Sequence, residues 1–235
     1  MYVFGKNVAK ELLNNNKKIN KVFLADNFKD EQIVKMLNEK NIPIVYENKF
    51  SLDKMEKGNH QGIILSIEDY KYKDEKYMLD NLPSNPFIVI LDHLEDPHNF
   101  GAIIRTCEAA GVDYIIIPKD RSVSITSTVM KTSVGALDNV NIVLSTNLNN
   151  IINKLKSKGV WIVGTDMQDS VPYTEIDYKI PTALVIGSEG FGMSNLVKKN
   201  CDFIARIPMY GKINSLNASV AAGIMIYEVI KQITR

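Results

Sequence analysis

The chain has 235 residues, 45% of them hydrophobic, and its 28 Lys and Arg against 27 Asp and Glu leave a formal net charge of +1. Such a composition fits a soluble globular protein with a real core, in one large domain or two modest ones, and excludes disorder and a globally basic nucleic-acid coat while permitting a local basic patch. No apolar run approaches the roughly 20 residues of a spanning helix, and a charge interrupts the apolar part of the opening MYVFGKNVAKELL, so neither a membrane protein nor a secretory leader is expected and a cytoplasmic location is.

The first part reads as a small α/β unit. Gly5 to Asn14 is amphipathic, KVFLAD is a strand, Asp30 to Glu39 a helix, IPIVYE a strand, the stretch near Ser51 to Glu56 a short helix, and HQGIILSI closes the unit. From Asp69 to Pro86 the chain is charged, then turn-rich and twice interrupted by proline, which suits a boundary. The expected division is therefore residues 1–76, a linker over 77–85, and a second domain over 86–235. That second part carries apolar strands at 87–92 (FIVILD), 114–118 (YIIIP), 141–145 (NIVLS), 161–166 (WIVGTD), 183–189 (ALVIGSE) and 203–209 (FIARIPM), with helical stretches between them. Strands apolar on both faces belong to a parallel sheet covered by helices, so the fold class is α/β with a doubly wound parallel sheet.

In such sheets ligands bind beyond the carboxyl ends of the strands, where loops and helix N-termini converge. Three of these ends carry unusual chemistry. After the 87–92 strand comes LDHLEDPHNFGAIIRTCEAAG, in which Pro97 and Asn99 mark a helix start and Arg105 follows within two turns; either this is an ordinary capped helix with an exposed arginine, or Asn99 and Arg105 project into one pocket. Arginine occurs only at 105, 121, 206 and 235, and where lysine is the default cation a retained arginine points to the planar fork that binds phosphate.

In LVIGSEGFGMS, Gly187 to Ser194 matches a phosphate loop except that Met193 stands where the lysine must be, and Glu189 would repel phosphates. Nor is it a dinucleotide fingerprint. What remains is either a mere tight turn or a glycine loop with one carboxylate, suited to close approach by a ligand that is not polyanionic. In IPMYGKINSLNASVAAGIMIYEV, capping explains one or two of Asn214, Ser215, Asn217 and Ser219 but not easily all four, and the helix expected over Ala218 to Glu228 is small on much of its surface. Cys107 and Cys201 stand without CxxC or CxxH partners and the three histidines are scattered, so buried thiols and no metal are expected.

Taken together, NFGAIIRT, VIGSEGFGMS and IPMYGKINSLNASVAAGIMIYE resemble the three motifs of the SpoU/TrmH family of RNA ribose 2′-O-methyltransferases, in the SPOUT superfamily. They occur in family order and cover the chain from about residue 86 to its end, while VFGKNVAKELL and NHQGIIL look like the ribosomal-protein-like RNA-binding domain of the RlmB-type branch. The resemblance implies a deep C-terminal trefoil knot, S-adenosylmethionine as cofactor held near Thr165, Gly187, Ile207 and Leu216, and a homodimer with sites near its interface. It implies catalytic roles for Asn99, Arg105, Glu189, Ser215 and Asn217. A segment threaded through a loop has little room for bulk, and its Asn and Ser are expected to bond the bent backbone.

The implied reaction is in-line methyl transfer to a ribose 2′-hydroxyl, with alignment supplying most of the advantage. A guanidinium is a poor proton acceptor, so Arg105 is expected to act as an electrostatic clamp on phosphate and developing alkoxide rather than as the base. A guanosine of 23S rRNA is the first expectation for the substrate. A tRNA, or a non-catalytic RNA-binding or ribosome-assembly role on the same fold, are the alternatives.

Overall fold

The structure, a computed structural model, describes residues 1–233; Thr234 and Arg235, the latter one of the four arginines above, lie outside the described residues. The chain divides into two compact units, the first made of Met1–Lys71 with Ile125–Lys131, the second of Tyr72–Ser124 with the chain from Thr132 onward.

The first unit runs β1 (Tyr2–Phe4), α1 (Lys6–Asn14), β2 (Ile19–Ala25), α2 (Glu31–Glu39), β3 (Ile44–Glu47), α3 (Lys49–Met55) and β4 (Ile63–Ile67). Its sheet is ordered β1-β4-β2-β3, with β2 and β3 parallel and β4 antiparallel to both neighbours. Apolar residues at helical spacing, Val8 and Leu12 on α1 and Ile33 and Leu37 on α2, cover Val22, Leu24, Ile63 and Leu65 on one face, and Leu52 of α3 packs with Ala25 and Ile64 on the other. α3 starts two residues before the expected Ser51, because Asn48 caps it: the Asn48 side chain accepts from the Ser51 N–H at 2.9 Å.

The second unit opens with α4 (Glu75–Asp80), inside the stretch expected to be boundary and linker. The correction has a local cause: Asp74 accepts from the Tyr77 N–H at 2.6 Å and so caps a helix that places Met78 fully buried in the core. There follow β5 (Phe87–Asp92), α5 (Pro97–Ala110), β6 (Tyr114–Pro118), α6 (Ser127–Ser133), β7 (Ile142–Ser145), α7 (Leu148–Ser157), β8 (Trp161–Thr165), β9 (Val171–Pro172), β10 (Thr182–Gly187), α8 (Asn195–Asn200), β11 (Phe203–Arg206) and α9 (Ala218–Gln232). All seven strands pair in parallel, in the order β7-β6-β5-β10-β8-β11-β9. Phe87 through Leu91 are wholly buried, as the continuous apolar run requires.

The strand order reverses between β5 and β8, and β10 fills the position between them. The carboxyl ends at Asp92, Thr165, Gly187 and Arg206 thus open on one edge, the place where an open α/β sheet binds its ligand. β11 stops at Arg206, three residues short of expectation, because Pro208 cannot donate to a ladder. α9 runs four residues beyond Glu228: Gln232 donates to the Ile176 carbonyl at 3.2 Å and accepts from the Tyr178 N–H at 3.1 Å, which ties the last turn down. Cys107 is buried and Cys201 half-buried, where burial foremost, aided by Asp202, pushes its thiol up to about 12. Among the described residues no helix is long and apolar enough to cross a membrane.

Candidate active site

Asp92, the last residue of β5, is wholly buried, so both carboxylate oxygens need partners. One accepts from the Ser194 N–H at 2.7 Å, anchoring the loop after β10; the other lies 2.5 Å from His93 Nδ1. His93 reaches it from a left-handed backbone, φ 59°, unusual for a residue with a side chain. Asp96 then caps α5 by accepting from the His98 N–H at 3.0 Å, Pro97 takes the first helical position, and the helix ends at Gly111, left-handed at φ 66°.

That start positions Asn99, which is 7% exposed. Its amide donates to Glu189 Oε1, and its Oδ1 accepts from Asn217 Nδ2 at 2.9 Å. Asn217 in turn caps α9, its Oδ1 accepting from the N–H groups of Ser219 at 2.9 Å and Val220 at 3.3 Å. One relay, Asn217 to Asn99 to Glu189, therefore joins the three constellations across 118 and 90 residues of chain. Asn217 is both cap and relay, so the two readings of that residue are compatible.

Gly187 has a demonstrable reason to be glycine. A Cβ there would stand 2.2 Å from the Gly192 carbonyl carbon and 2.4 Å from the Met193 nitrogen. The loop folds back on itself, the N–H groups of Ser188 and Gly192 each bonding the other's carbonyl at 3.0 Å. The close approach is made by the protein's own backbone.

Two openings flank the relay. A cleft of about 750 Å³ is lined by Asp92, His93, Asn99, Glu189, Phe191 and Met193. A narrower cavity of about 140 Å³ lies at the ends of β8 and β11, lined by Thr165, Ile207, Met209, Ser215, Leu216 and Met225 among others. Three of the four expected cofactor residues and Ser215 thus meet in one place, and Gly187 shapes the neighbouring loop instead. Thr165 Oγ1 donates to the Val185 carbonyl at 3.0 Å, so its hydroxyl proton is committed to the sheet. Asn214 and Ser215 were expected to bond the bent backbone; among the described residues neither makes a hydrogen bond, and both face the cavity.

Arg105 is not brought to either opening. Six residues at roughly 100° each turn it about 120° around α5 from Asn99, and it is exposed, with no ion pair among the described residues. Of the two readings of this helix, a single chain shows the exposed arginine. Sequence reasoning missed Asp92, His93 and the cavity methionines; the buried charge at a strand end was the available signal for Asp92.

Comparison with known proteins places this geometry. Residues 86–227 match the family model of the SpoU rRNA methylase family, and residues 2–73 match the model for RNA 2′-O ribose methyltransferase substrate binding. A protein of Bacillus subtilis (strain 168), assigned by name to the TrmH family of tRNA/rRNA methyltransferases, is 42% identical over 98% of this chain and 95% of its own length. A Staphylococcus saprophyticus protein assigned to the same family is 44% identical over the same shares. Among solved structures, the AdoMet-bound rRNA methyltransferase of Sinorhizobium meliloti superposes with a TM-score of 0.74 at 26% identity, covering all of this chain and 88% of that one. The fold is shared as well with the SpoU methyltransferase AviRb of Streptomyces viridochromogenes, at a TM-score of 0.77 and 21% identity over 99% of this chain and 90% of that one. The chain belongs to the SpoU rRNA methylase family.

Proposed function

We propose that this protein transfers a methyl group from S-adenosylmethionine to a ribose 2′-hydroxyl of structured RNA, with a guanosine of 23S rRNA as the first candidate, and that it works as a cytoplasmic homodimer. The observation that carries this reading is the relay from Asn217 through Asn99 to Glu189, which holds three separated segments beside a cavity at the carboxyl ends of β8 and β11. The cofactor fits these residues: the cavity is mostly apolar, with Ser215 and Asn214 free to bond polar atoms. When bound, S-adenosylmethionine supplies an electrophilic methyl on a sulfonium. Thr165, Ile207 and Leu216 hold it from the sheet side, and Ser215 and Asn217 position cofactor or ribose. Asn99 and Glu189 fix the loops on which those groups stand.

Arg105 clamps the target phosphate and stabilises the developing alkoxide. Its exposure, away from both openings of its own chain, supports a site completed by a second copy, and the uncovered side of α9, with Val220 and Tyr227 half-exposed, supports the same arrangement. The insertion of β10 between β5 and β8, followed by a chain return at 207–217 past the same edge, supports the trefoil threading that the family resemblance implies. We assign RNA capture to residues 1–76 and transfer to 86–235. The relatives' names span tRNA and rRNA, so the test begins with radiolabelled methyl transfer to total RNA. It continues by mapping 2′-O-methyl positions in a strain lacking the protein. Label on a base, or no label on any RNA, would overturn the proposal.

A further inference from the structure

The first unit holds its own cleft, about 580 Å³, where the loop after β2, the start of α3 and the loop before β4 meet. Phe28, Lys29, Lys49, Asn59 and Gln61 line it. Resting on the reading that the protein modifies RNA, we infer that this cleft receives an unpaired nucleotide of the RNA substrate. The two flanking phosphates lie one on Lys29 and one on Lys49, and the base edge on the amides of Asn59 and Gln61.

The charges sort themselves. Lys6, also in the cleft wall, is spent internally, 3.9 Å from Asp30 and 5.1 Å from the centre of the Phe28 ring. Asp53, the carboxylate that would repel a phosphate, is engaged by His60 Nε2 at 2.9 Å. The tautomer of His60 follows: its Nδ1 lies 3.0 Å from the Gly62 N–H, which can only donate, so Nδ1 accepts and Nε2 carries the proton given to Asp53. Lys29 and Lys49 have no ion pair among the described residues and remain available for an anion.

Lysines alone would mark a polyanion contact. The amides make the cleft more selective. Gln61 Oε1 accepts from the Lys6 N–H at 3.0 Å, which fixes the side chain and leaves its amide N–H₂ group to donate to a base. The loop that carries it is already bent into shape, with Gln61 at φ 52° and Gly62 at φ 80°. A Cβ on Gly62 would stand 3.3 Å from the Phe28 ring, so the loop closes down on that aromatic floor. Beside Lys49, Phe50 is 67% exposed and carries Lys54 Nζ 4.4 Å over its ring, a surface on which a second base can stack. Phosphate contacts, amide donors and an exposed aromatic on a prebuilt loop are what recognition of unpaired RNA uses, whereas an A-form duplex presents its bases too deeply for such a cleft.

The test uses the full chain and a fluorescent single-stranded RNA ten nucleotides long and of mixed sequence, with duplex DNA of equal length as comparison. Lys29→Gln with Lys49→Gln is expected to weaken RNA binding roughly tenfold and to flatten the log–log salt dependence by about 1.4, two phosphates at 0.7 each. Lys21→Gln with Lys35→Gln, outside the cleft, should leave both within about twofold. Asn59→Ala should weaken RNA binding with no change in salt slope. Unchanged RNA affinity in the Lys29/Lys49 variant, while the wild type still methylates RNA, would overturn the cleft assignment and leave the enzymatic reading intact. Equal losses on RNA and duplex DNA would reduce the cleft to a polyanion contact and overturn it too. A wild-type protein that neither binds RNA nor transfers methyl would instead sink the underlying reading.

Discussion

Two loops leave the same edge of the large sheet and are built on opposite principles. The one after β10, residues 188–192, is braced by reciprocal backbone bonds, by Asp92 holding Ser194, and by a glycine that admits no side chain. The one after β11, residues 207–216, makes no hydrogen bond among the described residues and exposes Tyr210 and Ile213. Water satisfies the backbone polar groups of such a segment, while its exposed apolar side chains, Tyr210 and Ile213, leave surface that a ligand could cover. The contrast teaches that half of this site is prebuilt and half is left open beside the cavity, with Asn217 at the junction of the two.

That contrast can be broken experimentally. The largest effect is expected at Arg105, which belongs to neither loop: Arg105→Ala should cut methyl transfer by roughly 10²–10³-fold with cofactor affinity, measured by titration calorimetry, nearly unchanged. Parallel loss of cofactor binding would contradict the clamp role. Next comes the braced loop, where Gly187→Ala forces backbone apart and should cost about 1–3 kcal/mol in chemical denaturation together with cofactor affinity. The relay should show non-additivity: a cycle of Asn99→Ala and Asn217→Ala is expected to give a coupling of roughly 0.5–3 kcal/mol, and strict additivity would mean that the bond between them holds nothing together.

The open segment should behave differently. Ser215→Ala is expected to change stability by no more than about 0.5 kcal/mol while slowing transfer, and a large stability loss there would erase the distinction drawn above. A last substitution tests for a second copy. A Cβ on Gly223 of α9 meets nothing within 4 Å, so in a lone chain Gly223→Ala should stabilise by about 1 kcal/mol. If a second copy packs on that face, the same substitution should instead weaken association, read as a shift toward monomer in sedimentation.

Much of the fold was legible because its signals are local. Continuous apolar runs such as Phe87–Leu91 declare a sheet buried on both faces, and Asp30 or Pro97 declare a helix start by chemistry confined to one turn. Where expectation failed, a neighbour outside the window decided. α4 arose in the supposed linker because Met78 finds the core, and α9 ran on because Gln232 finds the 176–178 backbone. Of the site, the motif residues were visible, but Asp92 was hidden inside an ordinary strand end, and spacing alone left open whether Arg105 is exposed or shares a pocket with Asn99.

The sequence by itself determined which residue types meet at the strand ends, a parallel sheet to carry them, and the family to which they belong, since periodicity and motif order are written along the chain. Only the tertiary structure decided that Asn99 bonds Glu189 and Asn217 at once, that Gly187 makes room for its own loop, and that Arg105 is exposed and lines neither opening. The physical reason is that hydrogen bonds between residues some hundred positions apart, and the angle at which a side chain leaves a helix relative to a cavity, depend on how elements pack.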